Sequence, residues 1–178
     1  MAGRFIAVVG PSGVGKDSVI DALCVACPGM RRVRRVVTRA PGTAEDHDSL
    51  TPADFAAAVA AGDFALHWQA HGLSYGIPRG IDADLAAGAD VIGNLSRGVL
   101  TTAAARFPRF EVLALSAAPE TLAARLAARG RETQADIAAR IARDAALPEG
   151  LTIHRIANDG ALADTVSAAR RALYPEKS

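Results

Sequence analysis

Seven residues, Gly10-Pro11-Ser12-Gly13-Val14-Gly15-Lys16, stand directly behind the apolar run Phe5-Ile6-Ala7-Val8-Val9. Glycines in such a run let backbone N–H groups turn inward around a phosphate. The helix that follows directs its positive end at the same point, and Lys16 adds a mobile charge. The chemistry is polyphosphate binding. One position departs from the common pattern, because Asp17 stands where a Ser or Thr would hold Mg2+ and the first hydroxyl follows at Ser18. The nucleotide site is therefore expected to be a variant.

Arginine is the second residue type with chemistry to offer. Arg31, Arg32, Arg34, Arg35 and Arg39 fall in one short β-branched segment without an acid, and a forked guanidinium matches phosphate oxygens two at a time. For the first four we adopt the plainer reading, a solvated edge, since long basic side chains usually sit in water. Arg129, Arg131, Arg140 and Arg143 form a second group in a helix-loop-helix stretch. A segment of that kind can close over a transferring phosphoryl group, neutralise its charge and exclude water, as a kinase must to avoid hydrolysing its donor. The structural alternative is a charged amphipathic helix solvated through Asp136 and Asp144.

Cys24 and Cys27 are the only cysteines, and their CxxC spacing invites a zinc or redox reading. Zinc needs about four ligands and no second pair exists. The two also fall at the far end of the helix that leaves the phosphate loop, where no dipole lowers a thiol pKa. We read them as packed, reduced thiols. His47, His67 and His71 share a polar stretch with the only Trp. Without helical HxxxH spacing they read as hydrogen-bonded surface or pocket groups rather than a metal cluster.

The elements that must position these groups alternate along the chain. A strand over Arg4–Val9 leads through the loop into a helix from about Gly15 to Ala26. The arginine segment comes next, then a loop with Glu45, Asp46, His47 and Asp48, and a short helix capped by Thr51 and opened by Pro52. Phe64–Gln69 and His71–Gly76 predict two small paired strands. A helix from Pro78 to about Ala87, a strand over Asp90–Leu95, a helix capped by Ser96 and a strand over Phe110–Leu115 follow. Helices from Pro119 and Thr133, a strand over Leu151–Ile156 and a last helix to about Leu173 complete the order. This alternation predicts an α/β fold with a mainly parallel central sheet, helices on both faces and the ligand at the carboxyl ends of the strands.

At 178 residues the chain fits one domain, 1–178, able to bury a core without disulfides or structural metal. A formal charge of +1 argues against a general nucleic-acid or membrane-surface binder. The N-terminus shows no charged region followed by a long apolar stretch, so the expectation is a cytoplasmic protein. A phosphate loop alone leaves open an ATPase, a GTPase switch, a kinase and a degenerate binding module. The arginine-rich segment favours the kinase.

In order and spacing, GPSGVGK, the pair Thr38-Arg39, Tyr75-Gly76, the run Arg129 to Thr133 with Arg140 beyond it, and Asn158-Asp159 resemble the guanylate-kinase superfamily over nearly the whole chain. The resemblance implies a three-layer P-loop nucleoside-monophosphate-kinase-like fold, with an acceptor-binding insertion at about 39–78 and an arginine-rich lid at about 129–143. It also implies that Arg39 and Tyr75 grip the acceptor's phosphate. Gly42, His47 and His67 stand where guanylate kinases carry an arginine, a tyrosine and a glutamate. His67 cannot accept from both the N1–H and the amino group of guanine, so the acceptor is expected to carry phosphate but no guanine.

GPSGVGKDS, VTR, Glu45-Asp46-His47, FALHWQAHGLSYG, Asn94 to Arg97, Arg129 to Glu132 and Asn158 to Gly160 resemble one branch, the ribose 1,5-bisphosphate phosphokinases. These use ATP to make 5-phosphoribosyl 1-diphosphate on a route associated with phosphonate breakdown. The resemblance implies ATP and Mg2+, a phosphorylated sugar as the small-molecule partner, and a cradle of Gly10, Pro11, Ser12, Gly13, Val14, Gly15, Lys16, Asp17 and Ser18. Lys16 would act on the donor phosphates, Ser18 and, through water, Asp17 on Mg2+, and Arg129 and Arg140 on the migrating group. Arg39 and Tyr75 would hold the acceptor, with Glu45, Asp46, His47 and His67 around the sugar and Asn158 at the adenine edge. A guanylate kinase with an altered base pocket and a non-catalytic scaffold module are the competing readings.

Overall fold

A computed structural model describes residues 1–39, 47–128 and 146–175. Its centre is β1 (Phe5–Val9), every residue of which has no solvent exposure. A continuous apolar run of this kind suits a strand covered on both faces. The loop after it opens α1 (Lys16–Ala26), and β2 (Met30–Arg32) and β3 (Arg35–Val37) follow. Next come β4 (His47–Ser49), α2 (Pro52–Ala61), β5 (Phe64–Ala70), β6 (Leu73–Pro78), α3 (Ile81–Ala86) and β7 (Asp90–Asn94). A 3-10 turn (Arg97–Val99), α4 (Leu100–Arg106), β8 (Phe110–Ser116), α5 (Pro119–Ala128), β9 (Thr152–Ala157) and α6 (Leu162–Leu173) complete the described chain.

Two sheets result. The larger is parallel throughout, in the order β2-β7-β1-β8-β9. Because side chains alternate along a strand, Phe5, Ala7 and Val9 pack with Leu100, Ala103 and Phe107 on one face. Ile6 and Val8 pack with Val19, Ile20, Leu23 and Ala169 on the other. The α/β fold with a mainly parallel central sheet is as the sequence predicts.

The second sheet has the order β4-β3-β6-β5, with β3 and β4 parallel and the remaining pairs antiparallel. Helix α2 covers one of its faces through Phe55, which meets Val36 and Phe64. Its cap is as expected, since the Asp54 N–H donates to Thr51 Oγ1 at 3.1 Å. Four details differ from the sequence reading. The arginine segment is two strands in two sheets, divided at Val33-Arg34, where the Val33 N–H donates to the Ile92 carbonyl at 2.8 Å. His47 and Asp48 belong to a strand rather than a loop. Pro78 ends β6, and α3 begins only at Ile81. Ser96 makes no side-chain cap, because its hydroxyl accepts from Trp68 Nε1 at 2.9 Å and a 3-10 turn precedes α4. The helix expected from Thr133 lies outside the described residues.

At the amino ends of the strands, Arg4 ties the large sheet together. Its guanidinium donates to Asp90 at 2.6 Å, to Glu111 at 3.1 Å and to the Leu173 carbonyl at 2.9 Å. Burial alone would raise the Asp90 pKa, but the bonds from Arg4 and Tyr174 hold it below the usual carboxylate range. Cys24 and Cys27 are free and half-buried at the end of α1. Burial pushes both thiols up, which keeps them protonated and weakly nucleophilic. No helix among the described residues is long and apolar enough to cross a membrane.

Gly76 is buried against the Phe64 ring, where an added Cβ would lie 2.5 Å from the nearest ring carbon. Gly76→Ala should therefore destabilise the protein by about 1–3 kcal/mol, the usual cost of overpacking. Urea denaturation measures the loss, and adding Phe64→Leu should recover part of it.

Candidate active site

Between β1 and α1 the backbone takes left-handed conformations at Gly13 (φ 83°) and Gly15 (φ 92°), which side-chain-bearing residues rarely adopt. Gly15 has a second requirement, because a Cβ there would lie 2.9 Å from Asn158 Nδ2. The Lys16 ammonium folds back across the loop and donates to the carbonyls of Gly10 at 2.9 Å and Pro11 at 3.2 Å. The Val14 carbonyl is held from outside, by Asn158 Nδ2 at 2.7 Å and by Arg125 at 3.3 Å. The same guanidinium also donates to the Asn158 carbonyl at 2.8 Å.

Asn158 stands just past the end of β9, where the sequence reading put it at the adenine edge. Its side chain is turned inward instead. The residue is 5 % exposed, and its Oδ1 accepts from the Thr165 hydroxyl at 2.7 Å while Nδ2 serves Val14. It braces the phosphate loop against α6. Arg125, its partner in that brace, was not singled out from the sequence; the available signal was its place beside Leu126 on the buried stripe of α5.

Asp17 faces the carboxyl ends of β2 and β7. Its Oδ1 accepts from Arg32 at 3.1 Å and from Asn94 Nδ2 at 3.3 Å. Arg32 also pairs with Asp21, one helical turn on, and its side chain is 18 % exposed. The solvated-edge reading is thus wrong for Arg32. Because β2 pairs β7 in parallel with Arg32 opposite Ile92, the guanidinium reaches the first turns of α1. Ser18 is exposed on that helix, so the side chain with contacts at the strand ends is that of Asp17. Arg34 keeps the edge character, pairing with Asp48 at 3.0 Å while both remain more than half exposed.

The inner face of the small sheet carries Tyr75, a candidate acceptor contact. Leu66 and Ile77 on that face join the main core, and by register Tyr75 pairs with Trp68 and with Val37. The Trp68 and Tyr75 rings stack at 5.3 Å with an interplanar angle of 11°. The Arg35 guanidinium lies 5.4 Å from the Tyr75 ring centroid. Directly opposite Arg35, at the start of β4, stands His47, whose Nδ1 is buried without a hydrogen-bond partner. Thr38 fixes the exit from β3 by accepting from the Ser74 N–H at 2.9 Å and donating its own N–H to the Ser74 carbonyl at 3.0 Å. Arg39 follows directly and is half-buried.

His67 does not share this face. It is exposed and pairs with Gly76, on the side opposite Tyr75, because a bulge between Phe64 and Leu66 resets the alternation of β5. Trp68, one residue on, occupies the inner position instead. The sequence offered it only as the chain's single indole beside Tyr75. Glu45, Asp46, Arg129 and Arg140 lie outside the described residues.

No family model matches the chain. Among curated proteins, the ribose 1,5-bisphosphate phosphokinase of a Ruegeria species is 50 % identical over 179 residues, covering 99 % of this chain and 94 % of the relative. The enzyme of the same name from Brucella melitensis is 54 % identical over 153 residues, 83 % of this chain and 79 % of its own. Among solved structures, the guanylate kinase of Anaplasma phagocytophilum superposes with a TM-score of 0.74 at 18 % identity, covering 98 % of this chain and 86 % of that one.

Asp17 places a negative charge at a loop built for anions, and Arg32 offsets it. Arg32→Ala should weaken binding of ADP by about tenfold, the scale of one uncompensated charge a few ångströms away in partly screened surroundings. The deficit should be larger in EDTA than in Mg2+. Asp17→Ser in the same chain should restore most of the affinity. Isothermal titration calorimetry of the two single variants and the double variant measures the coupling; equal losses in both backgrounds would remove it.

Proposed function

The chain belongs to the ribose 1,5-bisphosphate phosphokinase family, and from that premise we propose that it transfers the γ-phosphoryl group of ATP to the 1-phosphate of ribose 1,5-bisphosphate. The products are 5-phosphoribosyl 1-diphosphate and ADP, and the reaction fits a role in phosphonate breakdown. The main support is half identity to a phosphokinase across 99 % of the chain, joined to a phosphate loop that keeps its lysine.

An ionised phosphate oxygen is already a nucleophile, so the reaction needs no general base. An oxygen of the 1-phosphate forms a bond to the γ-phosphorus while the bond from that phosphorus to the bridging oxygen of ADP breaks. Catalysis then consists of alignment and charge neutralisation. The left-handed glycines and the start of α1 fit a polyphosphate. Lys16, which bonds the loop's own carbonyls, would exchange them for donor phosphate oxygens. The fit for Mg2+ is a carboxylate held at the loop by two donors; Asp17 through water and Ser18 would hold the ion, which supplies charge neutralisation when bound. Arg39 and Tyr75 would hold the acceptor, Glu45, Asp46 and His47 the sugar, and Arg129 and Arg140 the migrating group. Asn158 and Arg125 keep the loop in shape.

A coupled assay offering ribose 1,5-bisphosphate and GMP in parallel tests the reading. Turnover should be confined to the sugar bisphosphate, and turnover of GMP alone would replace this reading with that of a nucleoside monophosphate kinase. Lys16→Ala should lower kcat/KM by about a thousandfold, the scale of a lost transition-state charge contact, while circular dichroism shows the fold retained.

A further inference from the structure

The acceptor proposed above carries two phosphates, one at each end of its ribose, and only one reacts. A phosphate monoester near neutral pH carries between one and two negative charges, and removing it from water demands charged, directional donors. Arg39 and Tyr75 are proposed for one of them. On that reading of the function, the inner face of the small sheet must also meet the other.

Arg35 stands at the start of β3 and Arg39 just past its end. Extended backbone rises about 3.3 Å per residue, so the two arginines lie at most about 13 Å apart along the chain, a span that side chains can close on a sugar with a phosphate at either end. Arg35 lies over the ring of Tyr75, and Trp68 stacks on the same ring. A guanidinium carried beside an aromatic ring keeps its full positive charge, and its planar array of N–H donors matches phosphate oxygens two at a time. Trp68 is anchored in turn through its Nε1–H to Ser96, so the stack has a fixed position. Opposite Arg35 on β4, His47 brings a buried Nδ1 that has no hydrogen-bond partner. A buried ring nitrogen in that state is costly unless a ligand completes it.

We infer that Arg35, with His47 beside it, forms the subsite for the phosphate that does not react, the 5-phosphate, and so makes the enzyme select a bisphosphate over a sugar carrying the 1-phosphate alone. Neither residue needs to touch the migrating group. Their effect belongs in acceptor KM.

The test compares ribose 1,5-bisphosphate with ribose 1-phosphate as acceptors for the wild type and for Arg35→Met, whose thioether still covers the Tyr75 ring. The wild type should favour the bisphosphate strongly. Arg35→Met should lose about a hundredfold in kcat/KM on the bisphosphate, as for a truncated buried charge contact, mainly through KM. Its loss on ribose 1-phosphate should be far smaller, so that the preference collapses, and Arg35→Lys should fall between. Equal losses on the two acceptors would mean that Arg35 only supports Tyr75, and would overturn the subsite. Calorimetric titration with ribose 5-phosphate reads the subsite without turnover: binding to the wild type and not to Arg35→Met is expected, and equal affinity would overturn it. If the wild type phosphorylates neither acceptor, the proposed function falls, while this titration still decides the subsite.

Discussion

After Arg32 the chain leaves the parallel sheet, and the Val33 amide donating to the carbonyl of Ile92 at 2.8 Å fixes the point of departure. Val33 is buried, and an added Cβ at Gly93 would lie only 3.1 Å from its Cβ, so β2 and β7 approach closely at that spot. Two residues later the chain is in the other sheet. A one-residue slip in either strand would turn its side chains to the opposite face. Arg32 would leave Asp17, and Arg35 would leave Tyr75. The division of one arginine-rich stretch between the phosphate loop and the proposed acceptor face therefore depends on where a single strand ends.

The parallel sheet was legible because its signals are local. Phe5 to Val9 is apolar without interruption, and Thr51-Pro52 caps a helix through contacts within one turn. What the sequence did not disclose depends on residues far apart in the chain. Arg32 looked like one solvated arginine among several, and its partner Asp17 lies on another element. Asn158 looked like a base contact because nothing nearby in sequence shows that Val14 and Thr165 take its amide. His67 stands in sequence where guanylate kinases carry a glutamate, yet with the bulge between Phe64 and Leu66 the inner position of the strand falls to Trp68. Errors of this kind follow from the period of two, in which a shift by one residue reverses the assignment.

Charge balance explains how the phosphate loop tolerates its variant residue. A hydroxyl after the lysine would be neutral, whereas Asp17 brings a negative charge to the phosphate loop. Arg32 and Asn94 supply two donors to one carboxylate oxygen, and Arg32 is shared with Asp21. The arrangement keeps an oxygen-rich group at the loop without leaving it an uncompensated anion. It also ties the end of β2 to the phosphate loop, a contact that a Ser or Thr at position 17 would not require of it.

The same strand ends connect the two halves of the site. Asn94 closes β7 and bonds Asp17, and Ser96, two residues later, accepts from Trp68, which stacks on Tyr75. Residues 94–96 thus touch Asp17 beside the phosphate loop on one side and the proposed acceptor face on the other. A phosphoryl transfer without a general base depends on how well the two phosphates are aligned, and misplacement by about 1 Å is enough to slow such a reaction severely. A short rigid link through a central strand is a better guarantee of that alignment than contacts made separately by two mobile parts. The indole of Trp68 has a further consequence. It fills the space beside Tyr75 on the inner face, so the proposed acceptor site is lined by stacked rings and a guanidinium rather than by groups that would read the edge of a base.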